Sequence, residues 1–164
     1  MKKIGVLSDT HGILNPGVLA FFDGVDEIWH AGDIGDEAIV DQLSAVRTLR
    51  AVHGNIDDHK VRIRCPENLV FTVEDVRVAM THIGGYPGRY DRRAAALIRA
   101  GRPDVFVCGH SHILKVMYDR KNECLTLNPG AAGNFGIHRS VTAIRFVING
   151  KEIKEMEILD LPRK

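Results

Sequence analysis

The chain opens on a short apolar run, Ile4 to Leu7, that stops at Ser8-Asp9-Thr10-His11-Gly12. This is the pattern of a buried strand feeding a polar loop. Pro16 then begins a stretch in which Val18, Leu19, Phe21, Phe22 and Val25 fit one helical face, with Gly24 closing it. Residues 26–30 read as a second strand, ending at Ala31-Gly32-Asp33-Ile34-Gly35, after which Asp36 can cap a helix carrying Ala38, Ile39 and Leu43. Residues 47–53 read as a third strand that breaks into Gly54-Asn55-Ile56-Asp57. Strand, loop and helix in succession predict a sheet with parallel strands at its centre.

The period then changes. Residues 61–63, 69–73 and 76–81 read as short strands, the last two joined as a hairpin at Glu74-Asp75. Residues 91–100 predict a helix ended by Gly101 and Pro103. Strands are expected at 105–108, 116–119, 124–127, 141–147 and 153–159, with Asn149-Gly150 as the turn between the last two. The whole chain, residues 1–164, reads as one mixed α/β domain whose polar loops sit at strand ends.

Composition narrows the class. Apolar residues make up 45% and charged residues 26%, which supplies a core and too little charge excess for disorder. A net charge of +1 gives no general attraction to nucleic acid or anionic membrane. No apolar stretch reaches the length of a secretory signal or a membrane span, so a soluble, cytoplasmic protein is expected. Cys65, Cys108 and Cys124 are odd in number and lack a Cys-x-x-Cys spacing, which predicts reduced thiols without chemistry.

Five polar segments each follow directly on an apolar run: Asp9-x-His11, Gly32-Asp33, Gly54-Asn55-x-Asp57, Thr81-His82 and Gly109-His110-x-His112. Open α/β sheets bind ligands just outside the carboxyl ends of their strands, so these loops can converge on one site. Asp9, His11, Asp33, Asn55, His82, His110 and His112 together form the donor set that two neighbouring metal ions require. Asp33, alone in its loop and carrying two oxygens, is the candidate bridge. The i, i+2 spacing of Asp9/His11 and of His110/His112 would let both side chains leave an extended segment on one face.

In these five motifs the sequence resembles the calcineurin-like metallophosphoesterase family, specifically its small bacterial and archaeal phosphodiesterase branch, over nearly the whole chain. The resemblance implies a four-layer α/β/β/α sandwich of two mixed sheets flanked by helices, with a segment like Asn128-Pro129-Gly130 beside the site. It implies that Asp9, His11, Asp33 and His112 hold one metal ion and that Asp33, Asn55, His82 and His110 hold the other. Two divalent ions are expected, Mn²⁺ favoured by the resemblance, with Ni²⁺, Fe, Co²⁺, Zn²⁺ or Mg²⁺ as alternatives.

The expected activity is hydrolysis of a small phosphate ester, a diester in preference to a monoester, by in-line attack of a hydroxide bridging the two ions. Asp33, Asn55 and His82 carry the catalytic assignment, and Asp57 is expected to orient a ligand histidine from behind, or else to close a turn. Larger members of the family place a histidine after the Asn of the third motif, as the acid for the leaving group. Here that position is Ile56, so activated esters are the expected substrates. His30 and His53 read equally as supporting or as packed strand residues. Arg89, Arg92 and Arg93 could capture phosphate, and Asn134, His138 and Arg139 could line the pocket. The rival readings are a non-catalytic protein-interaction scaffold on the same fold and a phosphomonoesterase or cyclic-nucleotide phosphodiesterase. No nucleic-acid or membrane partner is expected, and a homodimer is compatible with the sequence.

Overall fold

The computed structural model describes residues 1–163; Lys164, the last residue of the expected domain, lies outside them. The N-terminal alternation builds β1 (Lys2–Leu7), α1 (Pro16–Phe21), β2 (Glu27–His30), α2 (Glu37–Val46) and β3 (Thr48–Ala51). Asn15 and Asp36 cap the two helices, their side chains accepting from the Gly17 and Ala38 N–H groups. Helical crossovers return the chain to the same end of the sheet, so β1, β2 and β3 run parallel.

Residues 61–63 are not a strand. They belong to α3 (His59–Arg64), whose cap Asp58 accepts from the N–H groups of Lys60 and Val61. Val61 is buried while Ile63 faces solvent. An apolar-polar-apolar triplet fits either period, and here the cap decides.

β4 (Asn68–Val73) and β5 (Val76–Ile83) form the expected hairpin. A two-residue ribbon, β6 (Gly85–Tyr86) with β7 (Arg89–Tyr90), follows unannounced by any periodicity. α4 (Arg92–Gly101) runs one residue past its expected end, and Arg102 caps it in the left-handed conformation at φ 45°. The remaining strands are β8 (Val105–Gly109), β9 (Leu114–Asp119), β10 (Cys124–Pro129), β11 (Ser140–Asn149) and β12 (Glu152–Pro162).

The strands assemble into two five-stranded sheets, ordered β12-β11-β1-β2-β3 and β4-β5-β8-β10-β9. Each contains a parallel trio: β5, β8 and β10 lie at the centre of the second sheet between antiparallel β4 and β9, whereas β1, β2 and β3 of the first sheet run out to the β3 edge, with antiparallel β11 and β12 on the other side only. Ile4, Val6, Trp29 and Phe146 of the first sheet bury themselves against Val78, Met80, Val105 and Val107 of the second. Val18 of α1, Ile39 and Leu43 of α2 and Val61 of α3 pack on the other face of the first sheet, around Leu7 and Ile28. Ala94 and Ile98 of α4 cover the second, around Ala79, Phe106 and Cys108. The result is the four-layer α/β/β/α sandwich of two mixed sheets flanked by helices.

All three cysteines are buried and unpaired. Burial pushes the Cys65 thiol up to about 11 and those of Cys108 and Cys124 up to about 12, so they stay protonated at neutral pH. No helix among the described residues is long and apolar enough to cross a membrane.

Candidate metal centre

The loops after the parallel strands are stitched together before any side chain is considered. The N–H groups of Asp9, His11 and Gly12 donate to the carbonyls of Gly32, Asp33 and Ile34 at 2.9, 3.0 and 2.8 Å. The Asp9/His11 and His110/His112 segments are not extended. Asp9, His11, Asp33, His110 and His112 have φ of 56°, 48°, 53°, 71° and 62°, in the left-handed region that residues with a Cβ seldom enter. Such conformations cost of order 1–3 kcal/mol each and persist only where the surroundings over-determine them. Alternate left-handed residues, not strand alternation, turn each pair of side chains inward. His82 reaches the same place from within β5, where pairing with β8 is interrupted between Met80 and Ile83.

All seven expected donors come together. Asp9, His11 and His112 form one group and Asp33, His82 and His110 a second, the ligand atoms within each lying within 4.8 Å of one another. Asn55 joins the second, its Oδ1 3.1 Å from His110 Nδ1. Asp33 Oδ2 is 3.2 Å from His82 Nε2 and 3.6 Å from His11 Nε2, between the two groups. Asp9 Oδ1 is 3.2 Å from His112 Nε2 and 3.8 Å from His11 Nε2. Donors held about 2.1 Å from one ion lie about 3.0 Å apart when octahedral and about 3.4 Å apart when tetrahedral. The spacing fits a shared cation.

Asp9 Oδ1, His11 Nε2 and His82 Nε2 are buried without a hydrogen-bond partner, although buried polar atoms are nearly always paired. His82 Nδ1 donates to the Ala31 carbonyl at 2.7 Å, which leaves a lone pair on Nε2 of the neutral ring. That lone pair faces the Asp33 carboxylate. A cation between them turns the repulsion into attraction, and so does a proton: burial pushes the His82 imidazole down, but Asp33 and Asp9 outweigh it and hold its pKa above the ordinary value. Burial likewise pushes Asp9 and Asp33 up. For Asp9 the neighbouring His11, His112 and His82 and the Ser8 hydroxyl win, and for Asp33 His82 and the Ile56 N–H do, so both carboxyls stay below their usual range. The cluster is built to attract positive charge.

Asp33 Oδ1 accepts from the Ile56 N–H at 3.1 Å, and Oδ2 faces the Nε2 atoms of His82 and His11. Asp9 Oδ2 accepts from Ser8 Oγ at 2.6 Å and from the His110 N–H at 3.1 Å. Neither Gly54 nor Gly109 has room for a side chain: a Cβ at Gly54 would overlap Asp33 Oδ1, and one at Gly109 would overlap Ser8 Oγ.

Asp57 orients backbone, not a histidine. Its Oδ2 accepts from the N–H groups of Gly54 (2.8 Å) and Ile34 (3.1 Å), and its Oδ1 from that of Gly35 (2.8 Å). One buried carboxylate thus ties the Asp33 loop to the Asn55 loop. Asn128 does the same for the last motif, donating to the Gly109 carbonyl at 3.0 Å and to Ser111 Oγ at 3.1 Å. Ser8 carried no motif signal beyond its place beside Asp9. The backbone partners of Asp57 and Asn128 carried none, because nothing in a sequence ranks one backbone N–H above another.

His53 Nδ1 donates to the Cys65 carbonyl at 2.9 Å. Arg93 pairs with Glu67 at 3.1 Å at the rim of a cavity that His53 also lines, and Arg89 lines a second cavity. Arg92 lines neither.

His30 is fully buried behind the loops. Its Nδ1 accepts from the Gly32 N–H at 3.1 Å, so Nε2–H donates to Thr10 Oγ1 at 3.0 Å. Burial pushes its pKa down to about 4, against the weaker upward pull of Asp9 and Asp57. The unfolded imidazole titrates near 6.5. Between those values the unfolded chain binds a proton that the folded chain refuses, so stability is complete above pH 6.5 and falls as pH drops toward 4. At 1.36 kcal/mol per unit the loss is on the order of 3 kcal/mol. His30→Gln is expected to reduce the slope of stability against pH in that window, read from thermal melts in the presence of chelator; equal slopes would remove His30 from the account.

The model for the calcineurin-like phosphoesterase superfamily domain matches residues 1–150. The chain belongs to that superfamily. A probable metallophosphoesterase of Methanocaldococcus jannaschii is 32% identical over 134 residues, covering 78% of this chain and 67% of the relative. Among solved structures, Vps29 of Chaetomium thermophilum aligns with a TM-score of 0.77 at 15% identity, covering 100% of each chain. An archaeal phosphodiesterase aligns with a TM-score of 0.76 at 20% identity, covering 96% of this chain and 99% of that one. At those identities the two structures show a shared fold. Superfamily membership and two adjoining donor groups make this the candidate centre of a dinuclear metal-dependent hydrolase.

Proposed function

We propose that the protein is a dinuclear metal-dependent phosphodiesterase acting on a small phosphate ester, with residues 1–164 working as one catalytic domain. The observation that carries the diester is a pair of cavities against the second donor group. One, of about 320 Å³, is lined by Asn55, His82, His53 and Arg93. The other, of about 360 Å³, is lined by His110, Tyr86, Tyr90 and Ile113. A phosphorus held at this group has room for an ester substituent in each, whereas a monoester would use one.

In this reading Asp9, His11, Asp33 and His112 hold one ion and Asp33, Asn55, His82 and His110 the other, with manganese favoured. Two divalent ions supply Lewis acidity there and lower the pKa of water from 15.7 toward roughly 7. The chain's own part is placement. Asp9 and Asp33 keep fixed negative charge at the centre, the Ala31 carbonyl holds His82 in its binding tautomer, and the Asn55 amide N–H can donate to a non-bridging phosphoryl oxygen. Ile56 supplies no proton to the leaving group, because its side chain is aliphatic and its N–H is committed to Asp33.

The test strips the protein with chelator, restores Mn²⁺, Mg²⁺, Ni²⁺ or Zn²⁺, and compares an aryl phosphodiester, an alkyl phosphodiester and an aryl phosphomonoester. Turnover is expected only with metal, highest on the aryl diester, and lower by about a hundredfold or more on the alkyl diester, whose leaving group needs the missing acid. Faster cleavage of the monoester would transfer the assignment to a phosphomonoesterase. Absence of metal-dependent turnover on all three would leave the scaffold reading.

A further inference from the structure

One histidine at the site belongs to none of the five motifs. His138 lies in the loop between β10 and β11, and its Nε2 is 2.6 Å from the Gly133 carbonyl oxygen. A carbonyl only accepts, so the proton is on Nε2, and in the neutral ring Nδ1 is a lone pair. That lone pair meets His112 Nδ1 at 3.2 Å. His112 therefore donates from Nδ1, which leaves its Nε2 unprotonated, 3.2 Å from Asp9 Oδ1. The contacts close into a ring, since the Gly133 N–H donates to the Asp9 carbonyl at 3.1 Å. Every proton position in the circuit follows from one carbonyl.

The same loop supplies Phe135, whose ring stacks on His11 with centroids 4.8 Å apart and planes at 25°. The Arg163 guanidinium donates to the His138 and Gly136 carbonyls and anchors the loop to the C-terminal strand. Both histidines of the Asp9 group are thus braced by residues 133–139, while His82 of the other group is braced by Ala31.

We propose that His138 is a positioning residue: it fixes His112 in the tautomer whose Nε2 can bind a cation, and so sets the affinity of the Asp9, His11 and His112 group separately from that of the Asp33, His82 and His110 group. The proposal rests on reading the Asp9 group as a cation site. The tautomer of a ligand histidine is set by the partner of its other nitrogen, and loss of that partner typically costs about 10–100-fold in metal affinity.

Two variants test it. His138→Phe keeps an aromatic ring and removes both nitrogens, and His138→Gln restores an acceptor. In metal-free protein, nitrogen NMR of labelled histidine should show His112 protonated on Nδ1 in the wild type, shifted toward Nε2 in His138→Phe, and returned toward Nδ1 in His138→Gln. Calorimetric titration with Mn²⁺ should show one of two binding classes weakened about 10–100-fold in His138→Phe, the other unchanged, and partial recovery in His138→Gln. A wild-type His112 protonated on Nε2, or a His138→Phe protein with unaltered tautomer and affinities, would overturn the proposal. So would equal weakening of both classes together with a lowered melting temperature, which is the mark of a structural role. If the wild type binds no Mn²⁺ while the His112 tautomer still follows His138, the cation site fails and the hydrogen-bond relay alone stands.

Discussion

Asp33→Asn is expected to fold as the wild type does and to lose metal-dependent turnover by about three orders of magnitude or more. The variant separates the two oxygens of the carboxylate. Oδ1 keeps its role as acceptor for the Ile56 N–H, so the loop retains its anchor. Oδ2 becomes an amide nitrogen, a donor without a lone pair for a cation, at the point between His11 and His82 where the two groups meet. Metal assistance contributes several kcal/mol to phosphoryl transfer, and each 1.36 kcal/mol is tenfold in rate, so loss of both ions has an effect of roughly that size. Metal content after dialysis is the companion measurement and should fall below two equivalents. A variant that retains two equivalents and turns over within about tenfold of the wild type would show that Asp33 is not shared between ions.

Asp57→Ala is expected to destabilise the fold substantially although Asp57 lies outside the donor set. It leaves the N–H groups of Ile34, Gly35 and Gly54 without their acceptor, in a place where Asp57 itself is only 5% exposed. Hydrogen bonds to a charged group contribute roughly 1.5–3 kcal/mol each, and unpaired buried donors add a desolvation cost, but the three are not additive because the freed loops relax toward water. A loss of about 3 kcal/mol is a reasonable central value, which for a chain of this length lowers the melting temperature by about 6–12 °C. Metal affinity should fall with it, since the Asp33 and Asn55 loops are no longer tied to each other. A melting temperature within about 2 °C of the wild type would mean that these N–H groups find other partners, and that Asp57 is only a turn residue.

The two variants part company in a way that separates chemistry from scaffold. Asp33→Asn changes a group that faces the reacting centre and leaves the loop bonds in place. Asp57→Ala changes no group that faces the centre and removes the loop bonds. If activity in Asp57→Ala is restored by saturating Mn²⁺ while that of Asp33→Asn is not, the division of labour read from the hydrogen bonds holds.

Periodicity was enough for most of the fold. The strand-loop-helix repeats through residue 53 and the strands from residue 105 onward follow from apolar spacing that either fits a pleat or a helix, and these elements appear within a few residues of their expected bounds. It failed at residues 61–63, where three residues are too few to distinguish the periods and the Asp58 cap decided for helix. It also passed over the β6–β7 ribbon, because two-residue strands have no period to read. The donor set was legible for a different reason: carboxylate and imidazole are properties of single residues, and each stood at the end of an apolar run.

Apolar spacing and residue identity thus set the order of the strands and helices and the chemistry of the groups that gather at the loop ends. Where those groups point follows only from the fold: Asp33 Oδ1 accepts from the Ile56 N–H, Asp57 accepts from backbone N–H groups as in its alternative reading as a turn residue, and His138 meets His112 directly, Nδ1 to Nδ1, while its Nε2 faces the Gly133 carbonyl. These are facts about distance and proton direction between segments remote in the chain, such as the Asp9 carboxylate and the His110 N–H. Hydrogen bonds are short-ranged and directional, so they exist only once packing of the two sheets has brought the loop ends to one edge.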